Sequence, residues 1–290
     1  MKGVLLMAYG TPRSLDEVEA FYTDIRGGRP PTPELLANLR GRYEAIGGRT
    51  PLLKITGRQA AALERALGPE WRVFVGMRHW HPYIRDVVAE MEAAGLEEGV
   101  AVALAPHYSA LSVGAYQQAV ASAGSRVAFR MVDSWHLQPA YLDAVSEHVR
   151  SASAGFEPET VVFTAHSLPR RILDSGDPYV DQLQATSRAL AERLALPRWT
   201  FAFQSAGATG DAWLGPDVLE TIGRCAAEGL RRVLVAPIGF IADHLEVLYD
   251  LDVQACQRAA ERGIELRRTE SLNDDPLLIR ALRDAVLAAA

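Results

Sequence analysis

The stretch VVFTAHSLP (161–169) reads as a strand for five residues and then ends on an imidazole. Val161, Val162 and Phe163 suit a strand covered on both faces. His166 follows, a group that exchanges a proton near neutrality. Two readings stand. It bonds a backbone group where a helix begins, or it is placed for chemistry at the carboxyl end of a parallel strand, where α/β proteins open their ligand crevices. A second candidate is DHLEVLYDLDVQ (243–254). Asp243 with Glu246 three residues later is an acidic variant of the capping box. Glu246, Asp250 and Gln254 then recur at four-residue steps. In a regular α-helix such steps drift by about 40°, giving a slanting polar stripe that a local π-turn would straighten. A solvated helix face is the alternative. The third is residues 21–52, where Gly27-Gly28, Pro30-Pro31 and Gly47-Gly48 bracket a helix predicted over 33–45. Tyr22, Arg26, Arg42, Tyr43 and Thr50 would line a mobile lip suited to a flat, anionic ligand, or an ordinary solvated surface.

Other chemistries lack their residues. The histidines form no HExxH or other zinc spacing, and no Gly-x-Ser-x-Gly elbow supplies an esterase nucleophile. No GxGxxG follows a strand and no P-loop is present, so a nucleotide cofactor has no support. A formal net charge of −6 argues against nucleic acid. Lys2 and Lys54 are the only lysines, so arginine carries nearly all the positive charge. Cys225 and Cys256 lie far apart and make neither a metal pair nor a disulfide framework, which fits a reducing cytoplasm. The apolar run 4–8 is too short for a signal peptide, and none approaches the length that spans a membrane.

The elements that must position these groups follow from alternating short apolar runs and amphipathic helical stretches, the pattern of α/β proteins with parallel sheets. Strands are predicted at 3–9, 72–77, 100–105 and 126–132, and again at 160–165, 200–204, 232–236 and 264–268. Clear helices lie at 55–67 and 181–195. The sets match in order. GVLLMAYGTP and TVVFTAHSLP each place a proline three residues after Tyr9 or His166, and VALAP pairs with VLVAP. We read two similar Rossmann-like units, each a four-stranded parallel sheet flanked by helices. The first comprises 1–156 plus 276–290, the second 157–275, with a cleft between them. A monomer is expected, since no long apolar surface helix demands burial.

Five blocks, LLMAYGTP, RYEAIGGRTPL, FTAHSLP, QSAGATGDAWLGPDV and PIGFIADHLEVLYDLD, resemble those of ferrochelatases in family order, and the resemblance extends over nearly the whole chain. The first block and YTDIRGGRPP look most like the bacterial enzymes that act on coproporphyrin III. The resemblance implies a chelatase-like fold and insertion of Fe2+ into coproporphyrin III to give coprohaem in haem biosynthesis. The alternatives are a protoporphyrin IX ferrochelatase, more distantly a sirohydrochlorin chelatase, or a tetrapyrrole-binding protein without catalysis. It implies that His166 and Glu246 stand on opposite sides of the macrocycle, each a proton acceptor or a metal ligand with the division between them open, and with Asp243, His244 and Asp250 supporting them. Tyr9 would lie over the ring and ligate the product iron, and Arg26, Arg42, Thr50 and Tyr116 would hold propionates. Gln254 departs from the family's usual third acid, and Thr50 from its usual serine. Two cysteines cannot supply the four ligands of the iron–sulfur cluster some relatives carry, so none is expected. Iron enters only as substrate, membrane insertion is not expected, and a downstream haem-pathway enzyme would receive the product.

Overall fold

The computed structural model describes residues 1–207 and 210–290. It contains two parallel four-stranded sheets. The first is built from β1 (Lys2–Ala8), β2 (Trp71–Met77), β3 (Glu98–Ala103) and β4 (Ala128–Val132), the second from β5 (Thr160–His166), β6 (Trp199–Gln204), β7 (Arg232–Pro237) and β8 (Glu265–Arg268). The strand orders are β2-β1-β3-β4 and β6-β5-β7-β8, the same topology twice. In each sheet the order reverses beside the first strand, at the β1/β3 and β5/β7 boundaries. That reversal leaves a crevice at the carboxyl ends. Tyr9 follows β1 and His166 ends β5, so both sequence candidates sit at switch points.

Helices α1 (Val18–Ile25), α2 (Pro33–Ala45), α3 (Leu52–Leu67), α4 (Ile84–Ala93), α5 (Val113–Ser122) and α6 (Pro139–Ser153) accompany the first sheet. Then come α7 (Tyr179–Leu194), α8 (Val218–Ala227), α9 (Leu245–Leu248), a π-helical segment (Asp250–Ala255), α10 (Cys256–Glu261) and α11 (Pro276–Ala289). Successive strand residues face opposite ways, and this sorts the layers. Val4 and Leu6 on β1, with Val161, Phe163 and Ala165 on β5, face one continuous core that includes residues of α3, α6, α7 and α11. Leu5 and Met7 face outward onto α4 and α5, and Val162 faces outward onto α8, the π-segment and α10. The central strands are apolar on both faces because helices cover both. The C-terminal α11 packs on α3 and α6.

The sequence reads residues 21–52 as lining a mobile lip or an ordinary solvated surface, and places Tyr43 there. Instead Tyr43 of α2 is 2% exposed and clusters with Val18 and with Leu245 of α9, while Leu36, Leu39 and Tyr249 pack around them. Apolar residues on the inner side of α2 dock it onto the second unit.

Candidate active site

His166 is carried on the last residue of a strand whose other residues are all buried. Its Nε2 lies 3.2 Å from Glu246 Oε1, and Nε2 of His244 lies 3.2 Å from Oε2. Both rings are held from behind. Nδ1 of His244 donates to the Ala242 carbonyl at 2.8 Å, and Nδ1 of His166 to the Ser167 carbonyl. A neutral imidazole has one N–H. With that proton committed to a carbonyl, each Nε2 presents a lone pair to a carboxylate oxygen unless a second proton is there. The cluster thus has two places, one on each side of Glu246, that take up a proton or a cation.

Burial alone would lower the His166 imidazole and raise the Glu246 carboxyl. Their mutual charge and hydrogen bond reverse both. The imidazole stands above its ordinary value, with the Ser167 carbonyl adding to the effect. The carboxyl stands well below its own, helped by the hydrogen bond to His244. Phe240 walls the cluster, its ring centroid 6.3 Å from His166 and 4.7 Å from His244. Gln204, 1% exposed, locks the floor. It accepts from Thr164 Oγ1 at 2.8 Å and donates to the Glu246 carbonyl at 3.0 Å.

The structure corrects the arrangement in which His166 and Glu246 take opposite sides of a macrocycle. A planar ring between two groups needs van der Waals contact on each side, about 7 Å in all, whereas these groups are 3.2 Å apart. The reason is topological. β5 and β7 are neighbours in one sheet, so the groups following them emerge side by side, and a flat ligand meets them together. The capping box is corrected too. α9 starts after an extended His244 with no side-chain cap. Glu246 is held by two imidazoles, and Asp243 accepts from Ser271 Oγ at 2.7 Å and Asn273 Nδ2 at 3.1 Å.

The polar stripe does pass through a π-turn. The Gln254 N–H bonds the Tyr249 carbonyl five residues back at 2.9 Å. Asp250 is turned inward and is 5% exposed, whereas Gln254 at the far end is solvated. Asp250 accepts from Ser205 Oγ and from Arg42 Nη2. Burial, with the Glu246 charge, keeps its carboxyl above the ordinary value despite these partners.

Arg42 is therefore a link from α2 to the π-segment, lying 5.0 Å over the Tyr249 ring, and not a free cation on the lip. Thr50 Oγ1 donates to Thr11 Oγ1 at 3.1 Å, which lies 3.2 Å from the Tyr43 hydroxyl. Arg26 ends α1, 5.8 Å over the Tyr22 ring. Its Nε donates to the Arg29 carbonyl and Arg29 Nε donates back. Among the described residues no carboxylate bonds either guanidinium. Tyr9 is 42% exposed, 4.6 Å from the His79 ring and 6.5 Å from Phe21. Burial around the phenol and the charge of Glu246 both push its pKa up. Tyr116 is buried in α5 beneath Arg78, 5.9 Å over its ring.

Sequence reasoning missed Arg78 and His79. His79 Nδ1 lies 2.8 Å from Asp24. Arg78 and His79 directly follow β2, so the strand-end rule applied to Tyr9 and His166 would have found them. Ser205 directly follows β6 and falls under the same rule, whereas Asn273 and Asp24 carried no such signal, because their partners are distant in sequence.

The ferrochelatase family profile matches residues 1–290. The chain is 45% identical to a ferrochelatase of Herpetosiphon aurantiacus over 296 residues, 98% of this chain and 97% of that one. It is 40% identical to the coproporphyrin III ferrochelatase of Geobacillus kaustophilus over 299 residues, 98% and 95% of the two chains. Among solved structures, the sirohydrochlorin chelatase SirB from Bacillus subtilis subspecies spizizenii aligns with a TM-score of 0.63 at 13% identity, covering 100% of this chain and 95% of its own. CbiX aligns at 0.59 and 15%, covering 99% of each chain. These two share the fold. Identity of 40% and more across almost the full length of both chains shows more than the fold, and this chain belongs to the ferrochelatase family, the metal-inserting chelatases.

Proposed function

We propose that the chain inserts Fe2+ into coproporphyrin III to give coprohaem. The observation that carries the reaction is the imidazole–carboxylate–imidazole cluster at the β5/β7 switch point. Insertion releases two pyrrole protons and requires a hydrated dication to exchange water for nitrogen ligands. Neutral imidazole and carboxylate accept protons and also ligate ferrous iron. His166 and His244, one on each side of Glu246, offer two acceptor positions for two protons. A dication beside the pair disfavours the imidazolium form of His166 and frees its Nε2. Because His166 and Glu246 act as one unit, protons leave toward them from one side of the ring, and Tyr9 is the residue we assign to axial contact with the product iron.

The choice of substrate rests on carboxylate number. Coproporphyrin has four propionates against two in protoporphyrin. Arg26, Arg29 and Arg78 have no carboxylate partner among the described residues, and Thr50 and Tyr116 add hydroxyls, a donor set matched to the more anionic ring. Relatives at about 40% identity bear the coproporphyrin name. Product would pass to a later haem-pathway enzyme, and the chain would work as a cytoplasmic monomer without a resident cofactor.

The test is anaerobic metallation of coproporphyrin III and protoporphyrin IX in competition, followed by their visible bands. The expected outcome is kcat/KM at least about tenfold higher for coproporphyrin, about 1.4 kcal/mol of discrimination. Preference for protoporphyrin would overturn the substrate assignment and leave the chelatase reaction standing.

A further inference from the structure

Residues 268–275 cross from β8 of the second unit to α11, which packs on the first. At their centre Asn273 has φ 49°, a left-handed backbone that asparagine tolerates better than most residues. All its principal polar atoms are engaged. Its N–H donates to the Ile241 carbonyl at 2.7 Å. Its Oδ1 accepts from the Asp243 N–H at 2.9 Å, and its Nδ2 donates to the Asp243 carboxylate at 3.1 Å. Its carbonyl accepts from Gln59 Nε2 of α3 at 2.5 Å. The three bonds to Ile241 and Asp243 grip the loop that leads into His244 and, in the first turn of α9, Glu246. The fourth joins the Asn273 segment to α3, whose first turn places Leu52 and Ile55 against Ala242.

We propose that Asn273 is a positioning residue for metal insertion, fixing the 241–243 loop so that Glu246 meets both His244 and His166. It touches neither substrate nor metal and acts through Asp243. Among the described residues, its amide alone satisfies both the N–H and the carboxylate of Asp243 from one side chain. An alanine would lose both bonds and strain the backbone, whereas glycine accepts the left-handed φ and removes the amide alone. This inference rests on the reading of Glu246 as part of the reacting cluster.

Asn273→Gly, Asn273→Asp, Glu246→Gln and Arg58→Ala are compared by steady-state metallation. Arg58 pairs with Asp274 of the same segment at 2.9 Å without touching the loop, so its loss reports general loosening. The expected result is a kcat about tenfold or more below wild type for Asn273→Gly, with the porphyrin KM within about twofold and with Arg58→Ala near wild type. Asn273→Asp keeps the acceptor for the Asp243 N–H but sets carboxylate against carboxylate, and an equal or larger kcat loss is expected. It decides the matter if the glycine variant does not fold. A wild-type kcat in either folded variant, or an equal kcat loss in Arg58→Ala, overturns the proposal. Full activity in Glu246→Gln would instead overturn the reading of the cluster itself.

Discussion

Each ring of the His166–Glu246–His244 cluster is aimed by a backbone carbonyl, so one carboxylate faces two Nε2 atoms. Glu246 is the largest influence raising the His166 value. Glu246→Gln is therefore expected to move the His166 titration to lower pH, read from its imidazole NMR signals. An unchanged midpoint would contradict the coupling. The same coupling acts on stability. A raised imidazole binds its proton more tightly when folded, so its contribution is full below the unfolded value, about 6.5, and fades as pH rises through the folded one. Glu246 works in the opposite direction. Its contribution is present above about 4.3 and is lost as pH falls through its depressed value. Urea midpoints of wild type should fall on the alkaline ascent more than those of Glu246→Gln.

The elements deliver these groups through close backbone contacts. Gly239, in the turn after β7, lies against the end of β5. A Cβ there would meet Ala165 Cβ at 2.4 Å and its Cα at 2.8 Å. Neither atom can swing aside, so Gly239→Ala should cost about 1–3 kcal/mol and push His166 from Glu246. A lowered thermal midpoint with reduced kcat would show it, and wild-type values for both would refute it. Arg42 ties α2 to the π-segment through Asp250. Breaking a buried pair costs about 3–5 kcal/mol. The Arg42 side chain is 26% exposed, and screening reduces this to about 1–3 kcal/mol. Arg42→Ala should destabilise by that amount in urea, and an unchanged midpoint would refute the part given to the Arg42–Asp250 pair in fastening α2.

Across the whole molecule, the two units share one core, and polar contacts fasten their edges. The Tyr141 hydroxyl of α6 donates to the carbonyl of Ile238, just past β7, at 2.5 Å. Asp177 accepts from Ser109 Oγ at 2.9 Å and the Ala110 N–H at 2.8 Å across the same divide. Tyr141→Phe leaves a buried carbonyl without its donor and should cost about 1–3 kcal/mol, seen as a lower urea midpoint. Because Tyr141 is 1% exposed and touches no residue of the His166–Glu246–His244 cluster among the described contacts, the porphyrin KM should not change. A changed KM with unaltered stability would mean that α6 sets the cleft and not merely the union of the halves.

The sequence by itself determined the eight strands to within two residues at each end, the duplicated topology, the helix over 33–45 and the places of Tyr9 and His166 at strand ends. Those features are written in local periodicity and in the rule that parallel sheets bind ligands at their carboxyl ends. Only the tertiary structure decided that His166 and Glu246 touch, that Arg42 is engaged by Asp250, that the lip is docked and that Asn273 holds the loop before Glu246. Each of these joins residues tens to hundreds of positions apart, and side-chain pairing at such separation depends on which strands lie adjacent, which no local pattern encodes.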